Sequence, residues 1–216
     1  MSESTNPRVS EYSRCKLPTL YGQFDLVIYR SAKDEEIAVL VSEHFDGTSV
    51  PFVRIHSQCF TAEVLGSMKC DCREQLVYAL EQIGTRESPG IIIYLPQEGR
   101  GIGLGNKVKA YSLQERGADT LEANHLLGFA GDLRDFEMAA EILRTMGVER
   151  IRLNTNNPDK LQALLDGGIA VDEVIPSIGN ENPHNQQYLR TKAEKMGHIQ
   201  LNGIPMHVVS LPPNRQ

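Results

Sequence analysis

The chain has 216 residues, 40% hydrophobic and 23% charged, a balance that excludes a low-complexity or disordered polymer. Its formal charge of −6 argues against nucleic acid or a membrane surface as a partner held by bulk charge. No apolar run approaches the roughly 18 residues of a membrane span, and the opening MSESTNPRVSEY has no apolar leader core, so a cytoplasmic location is expected.

In chain order, residues 1–12 read as a flexible N-terminus. GQFDLVIYR (22–30), EEIAVLVSE (35–43) and PFVRIHS (51–57) have strand length and are separated by polar turns, which predicts a β-rich, antiparallel N-terminal part. REQLVYALEQIG (73–84) places Leu76, Leu80 and Ile83 on one helical face. Strands and helices then alternate. GIIIYL (90–95) is apolar almost throughout, as expected of a strand covered on both faces. Helices are predicted over 104–116 and 134–146, the second stopped by Gly147. IRLNT (151–155) is the next strand, and NPDKLQALLDGG a helix with Pro158 at its first position and glycines past its end. AVDEVIP is a last strand, NQQYLRTKAEKMG a last helix, and the tail 199–216 reads as mobile. The pattern predicts one domain over 13–198. It is an α/β three-layer sandwich with a mixed, largely parallel sheet and a β-rich N-terminal part.

Three of the four cysteines fall in CFTAEVLGSMKCDC, as Cys59, Cys70 and Cys72. In a reducing compartment such a cluster points to metal or reactive thiols rather than disulfides. Three ligands suit a catalytic zinc with one open position, whereas structural zinc fills all four. Spacing alone leaves open a closed site completed by His56, or free thiols. Cys15 stands apart and is expected to be a small buried residue. Independently, TNNPDK joins an apolar strand to a helix that starts at Pro158. Free backbone N–H groups and the helix dipole make such a junction an anion site, to which Thr155 adds a hydroxyl and Lys160 a charge.

RIHSQC (54–59), KCDC (69–72), QEGRGIGLGNKVKAY (97–111), DTLEANHLLGF (119–129), DLRDF (132–136), TNNPDK (155–160) and YLRTKAEKMGH (188–198) occur in this order. Together they closely resemble the GTP cyclohydrolase II family of riboflavin biosynthesis, over about residues 14 to 198. The resemblance implies a homodimeric zinc enzyme, assisted by Mg²⁺ on the triphosphate. It opens the imidazole ring of GTP, releases formate and pyrophosphate, and leaves 2,5-diamino-6-(5-phosphoribosylamino)pyrimidin-4(3H)-one. It implies Cys59, Cys70 and Cys72 as zinc ligands and Tyr111 as proton donor or stabiliser at C8. Arg134 is implied as a nucleophile toward the α-phosphate, with Asp132 taking the proton. A guanidinium is a reluctant nucleophile, so its chemistry suggests an electrostatic clamp first. Two residues apart on a helix these side chains would diverge, so they need a loop or helix start. The implied GTP contacts are Arg54, Ile55, His56, Ser57, Gln58, Gln75, Glu98, Gly99, Arg100, Thr120, Thr155 and Lys160. Glu98 suits the guanine N–H donors and Arg100 the phosphates.

Gln58, Pro96 and Asn154 depart from the family pattern, at positions where Glu, Arg and an apolar residue are common. Two rival readings are a same-fold variant that stops at the formylated pyrimidine, and a non-catalytic nucleotide-binding protein with structural zinc. A zinc module for nucleic acid is disfavoured by the charge and the lack of a basic stripe.

Overall fold

The computed structural model describes residues 8–85, 89–117, 120–129, 132–177, 179, 181–186, 188–190 and 206–207. One eight-stranded sheet runs through them in the order β1-β2-β3-β5-β4-β6-β7-β8. Its strands are β1 (Val9–Thr19), β2 (Gly22–Ser31), β3 (Glu36–Ser42), β4 (Phe52–Ser57), β5 (Gly90–Leu95), β6 (Arg150–Asn154), β7 (Ala170–Ile175) and β8 (Met206–His207). The first three form an antiparallel meander that joins β5 antiparallel. β5, β4, β6 and β7 then pair in parallel, and β8 closes the far edge antiparallel. The sheet is thus mixed, as expected, with parallel pairing confined to its centre.

Period-two alternation sorts the central strands between two cores. Ile91 and Ile93 of β5 and Val53 and Ile55 of β4 face one core. That core also holds Ala139, Ile142 and Leu143 of α5 (Glu137–Thr145) and Leu164 of α6 (Pro158–Asp166). Ile92 and Phe52 face the other, with Phe24, Ala79 and Ile83, the last two from α2 (Cys72–Ile83). Helices on both faces make the three layers. Each of these fully buried isoleucines contributes about 1.5–3 kcal/mol through removal of apolar surface from water. On β4 the residues alternating with Val53 and Ile55 are Arg54 and His56, both buried, so a polar pair lies on the α2 side of the sheet.

Helix ends follow the local chemistry. Asn157 caps α6, its side chain accepting from Asp159 N at 2.9 Å, with Pro158 in the first turn. α5 stops where expected: Gly147 takes φ +74°, and Val148 N reaches back to Leu143 O at 2.8 Å. Its start is later than expected. Asp132 accepts from Arg134 N at 3.0 Å and Asp135 from Glu137 N at 2.8 Å, two side-chain turns that hold 132–136 out of the helix.

Three local expectations are corrected. β1 begins at Val9, inside the stretch expected to be flexible, with that side chain 1% exposed. It was not among the predicted strands because an edge strand with mostly exposed side chains shows little hydrophobic alternation. Cys15 lies on this strand and is exposed, not buried. A helix absent from the expected elements, α4 (Thr120–Leu126), follows α3 (Gly103–Gln114). Of the last predicted helix, 186 and 188–190 are helical, and 187 and 191–197 lie outside the described residues. The predicted tail also lies outside them except for 206–207. No described helix is long and apolar enough to cross a membrane.

Candidate active site

A cleft opens where β4 and β5 end, bounded by the loop after β4, the turn 97–100 and α3. The carboxyl ends of parallel strands are where such folds bind ligands. One wall carries thiols. Cys59 precedes the single-turn helix α1 (Phe60–Glu63), while Cys70 and Cys72 flank the start of α2. The three sulfurs lie within 4.8 Å of one another, and Cys59 and Cys70 are 3.6 Å apart. That separation is too long for a disulfide, whose sulfurs lie about 2.05 Å apart. It suits sulfurs sharing a tetrahedral ion at about 2.3 Å each, which stand roughly 3.8 Å apart. The donor set therefore fits zinc.

Hydrogen bonds from Cys70 and Cys72 hold the Cys59 thiol far below its ordinary range; burial opposes this and the nearby Lys107 reinforces it. Bonding to Cys59 pushes Cys70 up to about 11. Among the described residues no fourth His, Cys, Asp or Glu joins the group. His56 is occupied elsewhere: its Nε2 lies 2.9 Å from Glu63 Oε1, and its Nδ1 faces Arg54 at 3.4 Å. Burial lowers the His56 pKa to about 4, so the ring is neutral. Glu63 also accepts from Cys59 N at 2.9 Å and from the Tyr94 hydroxyl at 2.6 Å.

α3 supplies the side wall. Lys107 Nζ lies 3.1 Å from Cys59 Sγ and 2.7 Å from Glu98 Oε1. Burial disfavours its charge, but the Cys59 and Glu98 charges outweigh that and raise its pKa. One turn on, the Tyr111 hydroxyl lies 3.5 Å from Thr61 Oγ1, and burial raises its pKa, which keeps the phenol protonated. Behind the thiols, Arg54 donates to Gln75 Oε1 at 2.5 Å, to Asn154 Oδ1 at 3.2 Å and to the Ser177 hydroxyl. Gln75 in turn donates to Asp71. Burial lowers the Arg54 pKa to about 10, against the pull of Asp71, so it stays charged.

The opposite wall carries guanidinium groups. Arg134 binds Asp132 through Nε at 2.9 Å. Burial opposes ionisation on both sides, yet the mutual bond lowers the Asp132 pKa and raises that of Arg134. Arg100 sits in a turn with φ +63°, the left-handed region costly to a side chain. Its Nη1 and Nη2 are buried without a hydrogen-bond partner. Leu133 N donates to Arg100 O at 3.1 Å, and a Cβ at Gly101 would lie 3.1 Å from Leu133 Cβ. The turn therefore packs directly on the 132–134 loop.

Of the expected site residues, Arg54, His56, Ser57, Gln58, Gln75, Glu98, Gly99, Arg100, Tyr111, Arg134, Lys160 and the three cysteines line the cleft. Ile55, Thr155 and Asp132 do not. Ile55 faces the opposite core, and Thr155 is buried, its hydroxyl accepting from Asn157 N at 3.0 Å. The TNNPDK junction thus satisfies two of its own N–H groups with side chains. Lys160 donates to Ile55 O at 2.9 Å. The side chain of Thr120 lies outside the described residues. Glu98 is engaged on both oxygens by Phe60 N, Gly99 N and Lys107. Sequence reasoning missed Lys107, Glu63 and Tyr188. A signal existed for the first two: Lys107 stands four residues before Tyr111, and Glu63 four after Cys59.

Fold and cleft define a class: α/β proteins with a three-cysteine cluster able to hold a metal ion at the carboxyl ends of parallel strands, across from guanidinium groups. The GTP cyclohydrolase II family model matches residues 10–176, and the chain belongs to that family of enzymes. A GTP cyclohydrolase-2 from Hahella chejuensis is 49% identical over 88% of this chain and 92% of that protein. Another from Escherichia coli O9:H4 is 46% identical over 89% and 98%. The riboflavin biosynthesis protein RibBA of Synechocystis is 48% identical over 85% of this chain, which spans 34% of that longer protein.

Proposed function

We propose that the chain is a zinc-dependent GTP cyclohydrolase II of riboflavin biosynthesis. It hydrolyses the imidazole ring of GTP to formate, pyrophosphate and the diaminopyrimidinone ribosyl monophosphate. The observation that carries this reading is the convergence of Cys59, Cys70 and Cys72 within 4.8 Å in a cleft also lined by Arg100, whose Nη1 and Nη2 have no hydrogen-bond partner. When bound there, zinc supplies a Lewis acid and an acidified water for attack at C8.

The protein's own groups do the rest. Tyr111, kept protonated by burial, donates its proton as the ring opens. Arg100 offers two N–H edges to the phosphates, with Mg²⁺ on the triphosphate sharing the charge. Arg134, tied to Asp132 and fully ionised, clamps the α-phosphate while a water molecule attacks its phosphorus and pyrophosphate leaves, a role better matched to a protonated guanidinium than nucleophilic attack. Gln75, oriented by Arg54 and Asp71, and the Ser57 hydroxyl, buried without a partner, face the nucleoside. Cytoplasmic location and a homodimer complete the reading, on the strength of the family resemblance.

Incubation of the purified protein with GTP, Zn²⁺ and Mg²⁺, followed by mass spectrometry, tests it. The expected result is one formate and one pyrophosphate per GTP consumed. Accumulation of the formylated pyrimidine, or no turnover by zinc-loaded protein, overturns it.

A further inference from the structure

Three thiolates around a divalent ion leave a net negative charge at the site and donate much electron density. Both effects weaken the ion as a Lewis acid compared with neutral ligands. The fold places one cation directly on this cluster. Lys107 Nζ lies 3.1 Å from Cys59 Sγ, and its side chain is only 11% exposed. Glu98 prevents it from swinging away. The carboxylate holds the ammonium at 2.7 Å and is itself pinned by Phe60 N at 2.6 Å and Gly99 N at 2.8 Å. Phe60 follows Cys59 in the chain, so the backbone that carries the thiolate also anchors the carboxylate that aims the lysine.

We propose that Lys107 is a positioning residue for the reaction. Its ammonium donates a hydrogen bond to the Cys59 thiolate, withdraws electron density from that sulfur, and so keeps a thiolate-bound metal acidic enough to work. The bland alternative is that Lys107 only neutralises Glu98. The two differ in what the sulfur senses. This inference rests on the zinc reading above, and the experiment separates their failures.

The test uses the full chain with Co²⁺ in place of zinc, whose sulfur-to-metal charge-transfer bands report the donor strength of the thiolates. Glu98→Gln removes the carboxylate and keeps the cation; the double variant Lys107→Met/Glu98→Gln removes both, without stranding a buried charge. The expected result is at most a small shift in Glu98→Gln, whose amide oxygen can still accept from the ammonium, and a larger shift to longer wavelength in the double variant. In the zinc enzyme the double variant should lose roughly 10- to 100-fold in kcat relative to Glu98→Gln, with KM for GTP little changed. A parent protein with no charge-transfer band sinks the metal assignment and this inference together. A parent band that keeps its position in the double variant overturns this inference alone.

Discussion

The two walls of the cleft handle buried charge in opposite ways. On the cysteine side the polar and ionic groups are tied to protein partners: Cys59 to Lys107, Lys107 to Glu98, neutral His56 to Glu63, and Arg54 to Gln75 and Asn154. On the guanidinium side Arg134 is half committed, to Asp132, and Arg100, over the Tyr188 ring, holds two buried nitrogens with no hydrogen-bond partner on a strained backbone. An unfilled buried donor costs stability, of order 1–3 kcal/mol, and so marks a place built for something outside the protein. On the function proposed above, the first wall would take a small cation and a neutral ring, and the second an anion.

That contrast can be broken from its closed side first. Cys70→Ser removes one of three convergent sulfurs, and metal content, together with formate release from GTP, should fall to background. Retained stoichiometric zinc would place the metal elsewhere. A second test is pH. His56 is held near 4 by burial, against an ordinary 6.5, so between those values the unfolded chain binds a proton that the folded chain refuses. The stability it contributes is fully present above about pH 6.5 and lost as pH falls through about 4, a change of about 3 kcal/mol. Denaturant unfolding across that range should show the slope, and His56→Gln should flatten it.

The open wall predicts the reverse balance of binding and stability. Arg100→Ala should weaken GTP binding by about 10- to 100-fold, the worth of a charge-assisted hydrogen bond. The melting temperature should stay level or rise, because the unpaired buried nitrogens are gone while the strain of a side chain at this φ is unchanged. Lys there cannot reproduce the fork and should not rescue affinity. A clear loss of stability in Arg100→Ala would mean that the arginine is structural, and the contrast between walls would dissolve. The smallest effect belongs to neither wall. Arg150 pairs with Asp172 on the surface, 61% and 29% exposed, and Arg150→Ala should change stability by under about 0.5 kcal/mol with turnover unaltered.

How much of this could be read in advance differs between elements. GIIIYL was legible as a doubly covered strand because no polar residue in it would tolerate either core, and α6 was legible from Pro158 and its trailing glycines. β1 was not, since an exposed edge strand leaves no periodic trace. The start of α5 was not either, because Asp132 and Asp135 turn the chain with their side chains before the helix can begin. That same turn brings Asp132 and Arg134 face to face, which a helix would have prevented.

The amino-acid order alone determined the alternation of strands and helices, the three thiols as one candidate cluster and the kinship to a family, because these rest on local spacing and on words in the chain. Only the tertiary structure decided which groups those thiols meet. Lys107 lies 48 residues from Cys59 and Glu98 lies 38 from Phe60, and Arg54 reaches Asn154 and Ser177 across 100 and 123. Whether a buried charge is paired or left waiting depends on distances of a few ångströms between segments far apart in the chain. Those distances are set by how the sheet and its two helix layers close on one another.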